Sequence, residues 1–332
     1  MHRHELLGPW VRRFLLEHIV GERNLSANTQ RSYRDTLAML FPFLSAQAGR
    51  PLDRLEVIDV TASCVRLFLT YLEQKRRVSV TTRNQRLASI RALARFVAEH
   101  SPQHVAWYGE VKTVPFKKTI RNLICYLEKS EVEALLAVPD RTTMAGQRNH
   151  ALLLFLYNSG ARASEAAGLC IADLDLAPTA TPSVRILGKG MKERRCPLWQ
   201  KTAAELAQLV EGRSPRERVF LNRRGQPLTR FGIYNLIKVC VERARDCTPS
   251  LLTKRVSPHT LRHSTATHLL RAGVDLNTIR SWLGHVSLDT TQVYAEMDLE
   301  MKARALEKCD TMEFKKQTVA SGEPLMDFLR AI

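Results

Sequence analysis

Four side chains that can carry charge or protons occur close together near the C-terminal end of the sequence. His259 and Arg262 are three residues apart, so on a helix both project from one face. His285 follows Gly284, a residue that frees the backbone to turn, and Tyr294 comes shortly afterwards. Imidazole, guanidinium and phenol groups in this order can transfer protons, stabilise negative charge and attack an electrophile.

A further arginine lies upstream, directly after a predicted buried helix. Residues 149–158 are almost wholly apolar, and the helix should end at Gly160, just before Arg162. A buried helix of this kind is rigid, so it can fix the orientation of the guanidinium that follows it. Ser164 is expected to cap the next helix. Glu165 either braces an active-site side chain or simply complements the positive end of that helix.

A lysine occupies the turn of a predicted β-hairpin. Residues 184–187 and 193–196 alternate in polarity and flank a glycine-rich turn that contains Lys189. Taken alone, a turn lysine is usually solvated. Tyr294 could likewise be an aromatic residue of an amphipathic helix, and His259 a core histidine bonded to backbone. The order of the whole set therefore carries more information than any one residue.

Five short motifs hold these side chains. In chain order they are SGARASE with Arg162, LGKG with Lys189, HTLRH with His259 and Arg262, WLGH with His285, and TTQVYAEM with Tyr294. This set resembles the signature of the tyrosine recombinases, the phage integrase family. All six positions follow the family's order over most of the C-terminal half, although Ser159 stands where the family frequently has threonine.

The resemblance implies the chemistry of strand cleavage at a phosphodiester. Tyr294 would attack the phosphorus and form a 3′-phosphotyrosyl link. A phenol with a pKa of about 10 is barely ionised at neutral pH, so His259 would relay its proton. Lys189 would act as the general acid for the departing 5′ hydroxyl.

The same resemblance implies that positive charge replaces a metal ion. Arg162 and Arg262 would clamp the two non-bridging oxygens with fixed forks of donors. His285 would donate a hydrogen bond to the same phosphate. The reaction would then need no metal, ATP or other cofactor, and the sequence contains no Walker loop.

A strong excess of positive charge indicates a polyanionic partner. The 332 residues have a formal net charge of +17 and a pI near 9.9, which favours double-stranded DNA, with an anionic membrane as the rival. No apolar run approaches the ~18–20 residues that span a bilayer, and residues 1–10 lack the apolar core of a secretion signal. A cytoplasmic protein is expected.

The cysteines and histidines do not predict a metal site. Seven scattered cysteines lack any CxxC pair and should be reduced. His259 and His263 are spaced for one helical face, with His268 nearby, but the glutamate of an HExxH motif and a cysteine partner are missing.

The N-terminal third predicts a small helical bundle that resembles the core-binding domain of the family. Apolar residues recur at helical spacing in four segments near residues 1–24, 25–44, 61–75 and 80–99. Such a bundle would close the other half of a clamp around the duplex. Arginines and lysines in and after its last helix are candidates for phosphate contacts: Arg83, Arg86, Arg91, Arg95, Lys117 and Lys118.

The predicted fold is mainly α, with two domains. A helical, SAM-like core-binding bundle precedes a mixed α+β catalytic domain with a small antiparallel sheet. Residues 101–119 lose helical periodicity and contain two prolines, which indicates an interdomain linker. The predicted boundaries are 1–105 for the bundle, 106–122 for the linker, 123–310 for the catalytic domain and 311–332 for a tail.

Within the catalytic domain, Ser130 and Glu133 predict a capping box, and residues 219–221 a short strand. Thr229 should cap a helix that follows a basic turn. Further phosphate contacts are predicted there: Arg223, Arg224 and Arg230.

The tail ends in an apolar segment, residues 325–332, which needs a groove to be stable. The resemblance implies its exchange between protomers of a homotetramer on DNA, with a monomer or weak dimer when free; docking on its own domain is the alternative. A partner recombinase or accessory protein is a further possibility.

The resemblance leaves the biological role open between mobile-element integration, excision or transposition and the resolution of dimers. Two other classes are a type IB topoisomerase-like enzyme and a DNA-binding accessory protein that has lost catalysis. The small helical bundle and the LGH corner favour a recombinase over a topoisomerase.

Overall fold

The computed structural model describes residues 5–119, 125–177, 181–188 and 192–284. The chain divides into two compact units, Met1–Arg121 and Asn122–Ile332, and each has its own hydrophobic core. Within the described ranges, no helix is long and apolar enough to cross a bilayer. Of the predicted catalytic residues and segments, those outside the described ranges are Lys189, His285, Tyr294 and the tail 311–332.

The first unit is built from helices, as predicted. α1 (Leu7–Arg13) continues directly into a π-helical segment (Phe14–Glu22), and the helices that follow are α2 (Ala27–Ala48), α3 (Ala62–Gln74), α4 (Val80–His100) and α5 (Val105–Lys112). The hydroxyls of Ser26, Thr61 and Ser79 begin α2, α3 and α4 by accepting first-turn backbone N–H groups. The apolar faces enclose a core that includes Phe14, Phe68 and Phe96.

The segment predicted as a linker, residues 106–122, begins instead as a helix of the first unit. α5 buries Trp107 and Val111, and the Trp107 indole donates a 2.9 Å hydrogen bond to Val60 O. Pro102 opens the 3₁₀ turn before α5, and Pro115 follows the helix. The linker prediction was wrong for these residues because prolines that flank a short helix were interpreted as interrupting the chain.

The second unit combines helices with a small antiparallel sheet. Strands β1 (Leu174–Asp175), β2 (Ser183–Leu187) and β3 (Glu193–Pro197) pair in the order β1-β2-β3. Leu187 pairs with Glu193 across the hairpin, so the two predicted strands are confirmed. The helices are α6 (Lys129–Ala137), α7 (Met144–Ser159), α8 (Ala163–Gly168), α9 (Gln200–Val210), α10 (Arg230–Ala244), α11 (Pro258–Arg271) and α12 (Leu276–Leu283).

The short strand predicted at residues 219–221 is not formed. Residue 221 makes an isolated bridge with Pro227 instead. The chain reverses at once, because Asn222 N donates to Gln226 O at 2.7 Å. So tight a turn leaves too few paired residues for a strand.

α7 is a largely buried helix of the second unit and packs against α9 and α11. Thr143 caps its start, and Gly160 ends it in the left-handed conformation, with φ +59°. The predicted helix and its stop are both confirmed. Arg162 therefore follows a helix that is fixed on all sides by the core.

The capping box of α6 lies two residues earlier than predicted. Glu128 and Glu131 form it, not Ser130 and Glu133, and Glu128 N donates to Glu131 Oε2 at 2.7 Å. Glu131 also binds the Lys254 ammonium at 2.6 Å. This tertiary partner, distant in sequence, favours Glu131 as the box residue.

Replacing Gly160 by alanine should destabilise the second unit more than the same change at Gly212. Both glycines are left-handed, which costs other residues about 1–2 kcal/mol. A Cβ at Gly160 would also overlap the fully buried Leu283 Cδ2, whereas none of the described residues approaches within 4 Å of a Cβ at Gly212. The overlap should add roughly 1–3 kcal/mol. Urea unfolding measures both variants, and equal losses would contradict the packing argument.

Candidate active site

Arg162 is held at the junction between α7 and α8. Ser159 makes side-chain hydrogen bonds within the turn that precedes it. Arg162 itself is the N-cap of α8, not Ser164 as predicted, because Glu165 accepts the Arg162 backbone N–H at 2.9 Å. The Arg162 side chain is 31% exposed, so its guanidinium reaches the surface from a rigid base.

The buried carboxylate of Glu165 holds two guanidiniums. Oε1 accepts from Arg162 Nη1 at 2.7 Å, and Oε2 accepts from Arg194 Nη2 at 2.8 Å. Burial by itself would raise the pKa of Glu165, but hydrogen bonds and charge from Arg194, followed by hydrogen bonds from Arg162, outweigh it and lower the pKa. Glu165 therefore remains a carboxylate and braces Arg162, which is the first of the two roles considered for it.

Arg262 is buried in α11 and joins the ends of two other helices. Its Nη1 donates to Gly160 O and its Nη2 to Leu283 O, both at 2.6 Å. Gly160 follows α7, and Leu283 is the last residue of α12. Carbonyls at helix C-termini carry partial negative charge, so a guanidinium is well placed there. Arg262 thus fixes the spacing between these two helix ends.

His259 lies in the first turn of α11, where Pro258 and the Ser257 cap begin the helix. Its pKa is lowered, first by partial burial of the ring and then by the positive charges of Arg262 and Arg162. The structure therefore brings three predicted catalytic residues into one neighbourhood. Because the pKa is lowered, the ring is neutral near pH 7 and can accept a proton.

The remaining predicted catalytic residues, Lys189, His285 and Tyr294, lie outside the described ranges, but the residues directly before Lys189 and His285 are described. Gly188 lies against the buried carboxylate, since a Cβ there would stand 3.5 Å from Glu165 Oε1. Gly284 is left-handed, with φ +65°, as predicted for a turning residue. A Cβ at Gly284 would stand 3.1 Å from Arg194 Cδ. Both glycines therefore border the pair formed by Glu165 and Arg194.

The other histidines of α11, His263 and His268, are at least partly buried. His268 Nδ1 shares a 2.7 Å hydrogen bond with the Tyr157 hydroxyl. Burial, followed by the charges of His259 and Arg262, lowers the pKa of His263 to about 4. Among the described residues, no group of three or more His, Cys, Asp or Glu side chains is arranged to hold a metal ion.

Two family profiles match the chain on either side of the division between its units. The profile described as "Phage integrase, N-terminal SAM-like domain" covers residues 12–100, and "Phage integrase family" covers residues 125–301. The chain belongs to the phage integrase family. The family predicted from the motifs is thus confirmed, as are the fold class and the class of enzyme, because tyrosine recombinases are DNA strand-transferring enzymes.

Relatives in this family match along most or all of the chain. A protein of Sinorhizobium fredii (strain NBRC 101917 / NGR234), classed by name as an integrase/recombinase (y4rC), is 37% identical over 334 residues, which covers 100% of both chains. The tyrosine recombinase XerC of Oceanobacillus iheyensis is 35% identical over 298 residues, which covers 85% of this chain and 90% of XerC.

Solved structures of the family share the fold. XerH bound to palindromic difH substrate, in a post-cleavage complex, gives a TM-score of 0.67 at 21% identity, with 87% of this chain and 82% of that chain covered. The Tn1549 transposon integrase in complex with transposon right end DNA gives 0.67 at 17% identity, with 90% and 98% covered.

Three of the arginines predicted to bind DNA stabilise the bundle from within. Arg83 is 5% exposed and donates to Pro115 O at 2.8 Å. Arg86 donates to the backbone of α2 at 3.1 Å, and Arg91 to Lys112 O at 2.5 Å. The sequence analysis missed these roles because the acceptors are backbone carbonyls of distant segments.

The remaining predicted phosphate contacts are exposed: Arg95, Lys117, Lys118, Arg223, Arg224 and Arg230. Arg95 pairs with Glu99 at 2.7 Å, and Lys117 with Glu73 at 2.8 Å. Solvated pairs of this kind contribute at most about 1 kcal/mol. Arg95 can therefore exchange its carboxylate for a phosphate at little cost, because both side chains of its pair are exposed.

Arg194 is the site residue that the sequence analysis did not identify. It lies two residues before Cys196 on β3, and Cys196 is fully buried. Residues two apart on a strand share a face, so the pattern places an arginine on the inner face, where it requires a partner. That signal was available, but the partner Glu165 could not be read from the sequence.

The pKa of His259 should rise when Arg162 is replaced by methionine, because one of the positive charges facing the ring is removed. An NMR pH titration of the ring protons, assigned with a His259→Asn variant, measures the change. Arg195→Met is the control, since that side chain is 71% exposed. An unchanged His259 pKa in Arg162→Met would contradict the proposed proximity.

Proposed function

We propose that this chain is a site-specific DNA recombinase that cleaves and rejoins strands through a 3′-phosphotyrosyl intermediate. The observation that carries the proposal is the convergence of Arg162, at the start of α8, with His259 and Arg262 of α11. Their order along the chain, together with Lys189, His285 and Tyr294, is that of the family.

In the proposed cleavage step, side chains of this chain supply the nucleophile, the base and the acid. The Tyr294 oxygen forms a bond to phosphorus while the bond from phosphorus to the 5′ oxygen breaks. His259, neutral because of its lowered pKa, takes the tyrosine proton. Lys189 gives a proton to the 5′ oxygen. A 5′ hydroxyl then reverses the step and releases the tyrosine.

The arginines supply charge where the transition state requires it. Arg162 is fixed by Glu165, and Arg262 by two helix-end carbonyls. Donors fixed in advance stabilise developing charge without reorganisation during the reaction. His285 adds a hydrogen bond to the same phosphate. This arrangement provides for a reaction independent of metal ions and ATP.

Double-stranded DNA is the proposed partner. The net charge of +17 and the exposed cations of both units favour a polyanion, and XerH and the Tn1549 integrase are bound to DNA in their solved structures. A cytoplasmic location, where DNA is accessible, is part of the same proposal.

Tyr294→Phe should eliminate covalent attachment to DNA, because the variant lacks the attacking oxygen. The wild-type chain, incubated with nicked genomic fragments and denatured, should retain labelled DNA on a gel. Sequencing the attached fragments identifies the target site and separates mobile-element integration from dimer resolution.

Tyr71→Phe, at an exposed tyrosine of the first unit, is the matched control and should form the adduct normally. A wild-type chain that binds DNA without forming an adduct would be the inactive accessory protein considered above. Relaxation of supercoiled plasmid by single protomers would indicate the topoisomerase-like alternative.

We further propose a homotetramer on DNA, with residues 325–332 exchanged between protomers. The apolar residues of this segment require a groove. Deletion of residues 323–332 should abolish tetramers in gel-shift and light-scattering measurements while single-site binding persists. Unchanged tetramer assembly would refute the exchange.

A further inference from the structure

We propose that Arg194 is a positioning residue for strand cleavage, holding together the three segments that carry Arg162, Lys189 and His285. This inference rests on the proposed function. Arg194 lies on β3, and its side chain is 7% exposed. Its guanidinium hydrogen-bonds in two directions, to a carboxylate and to a helix-end carbonyl.

The first connection runs to Arg162 through Glu165. Arg194 Nη2 donates to Glu165 Oε2 at 2.8 Å, and the other carboxylate oxygen accepts Arg162 Nη1 at 2.7 Å. Arg162 and Arg194 thus share one buried carboxylate. Without Arg194, the Glu165 charge would have Arg162 as its remaining guanidinium partner among these contacts, and a buried charge that loses a partner is unfavourable.

The second connection runs to the corner before His285. Arg194 Nε donates to Trp282 O at 2.9 Å, in the last turn of α12. A Cβ at Gly284 would stand 3.1 Å from Arg194 Cδ and 3.2 Å from Nη1. The arginine therefore lies directly against the left-handed residue that precedes His285 in the sequence.

The third connection is the hairpin that carries Arg194. β2 and β3 pair through Ile186 and Arg194, and Gly188 N donates to Lys192 O at 2.8 Å at the edge of the turn. Lys189 directly follows Gly188 in the sequence. A guanidinium anchored at Glu165 and Trp282 thereby fixes the strand next to the general acid.

An arginine is required because one guanidinium binds two acceptors on separate elements at once, Trp282 O and Glu165 Oε2. Nε and Nη2 belong to one rigid plane, so the two hydrogen bonds fix the orientation of the side chain. A lysine at this position could bind the carboxylate but could not bond both acceptors with the same fixed geometry. Arg194→Lys should therefore retain part of the function, and Arg194→Met should lose it.

The test compares single-turnover cleavage by wild type, Arg194→Lys, Arg194→Met and Arg195→Met. The substrate is the duplex recovered by covalent trapping with wild type, nicked beside the scissile phosphate and present at saturating concentration. Arg195 is the matched control: it is the next residue on β3, is 71% exposed and has a 3.8 Å ion pair with Asp175.

We expect the cleavage rate constant to fall about 100-fold in Arg194→Met, as for a displaced catalytic group. Arg194→Lys should lie between Arg194→Met and wild type, and Arg195→Met within twofold of wild type. The dissociation constant for DNA should not change. The fraction of enzyme that eventually reacts should also stay the same, because that amplitude reports how much protein is folded.

Two results would overturn the role of Arg194. One is a rate constant for Arg194→Met within threefold of wild type. The other is a reduced amplitude with an unchanged rate constant, which would show that Arg194 matters for folding alone. Absence of any adduct with wild type would instead refute the proposed function, so the two failures are distinguishable.

Discussion

The buried carboxylate of Glu165 is the interaction on which the arrangement of this site depends. It has little access to water, and ionisation is favourable there because two guanidiniums face it. Removing one partner of a buried ion pair typically costs about 3–5 kcal/mol. The start of α8 and the strand β3 are therefore held together by charge, and Arg162 is oriented as part of that pairing.

Helix ends provide a second set of fixed contacts. α7 and α12 both stop at left-handed glycines, Gly160 and Gly284. The backbone carbonyls near these stops accept from Arg262 and Arg194. Arginines thus satisfy the unpaired acceptors of helix C-termini and acquire fixed orientations in return. Arg262, which bonds two of these helix ends, also lowers the pKa of His259 through its positive charge.

Much of the fold could be predicted because its signals are local. The cap at Thr229, the apolar run of α7 and the alternation of β2 and β3 each depend on a few neighbouring residues. The helical first unit and the mixed second unit follow from the same patterns. The candidate site was predicted from the motifs, which occur in the same order as in the family.

What could not be predicted depends on partners far apart in the chain. Arg83 and Arg91 bind backbone carbonyls more than 20 residues away. No pattern of neighbouring residues therefore indicates these hydrogen bonds. Arg194 needs Glu165, and the box of α6 needs Lys254. In each case the role of the residue is set by a contact with a residue far away in the sequence, which the spacing of neighbouring residues does not reveal.

The anchoring of Arg262 has a practical implication for capturing reaction states. Arg262 is buried and donates hydrogen bonds to carbonyls at the ends of two helices. Replacing it would therefore disturb the packing of those helices. Inactivation at that position would mix loss of chemistry with loss of structure. Removing the Tyr294 hydroxyl, the proposed nucleophile, is the better way to stop the enzyme when an intact assembly with its substrate is wanted for crystallisation.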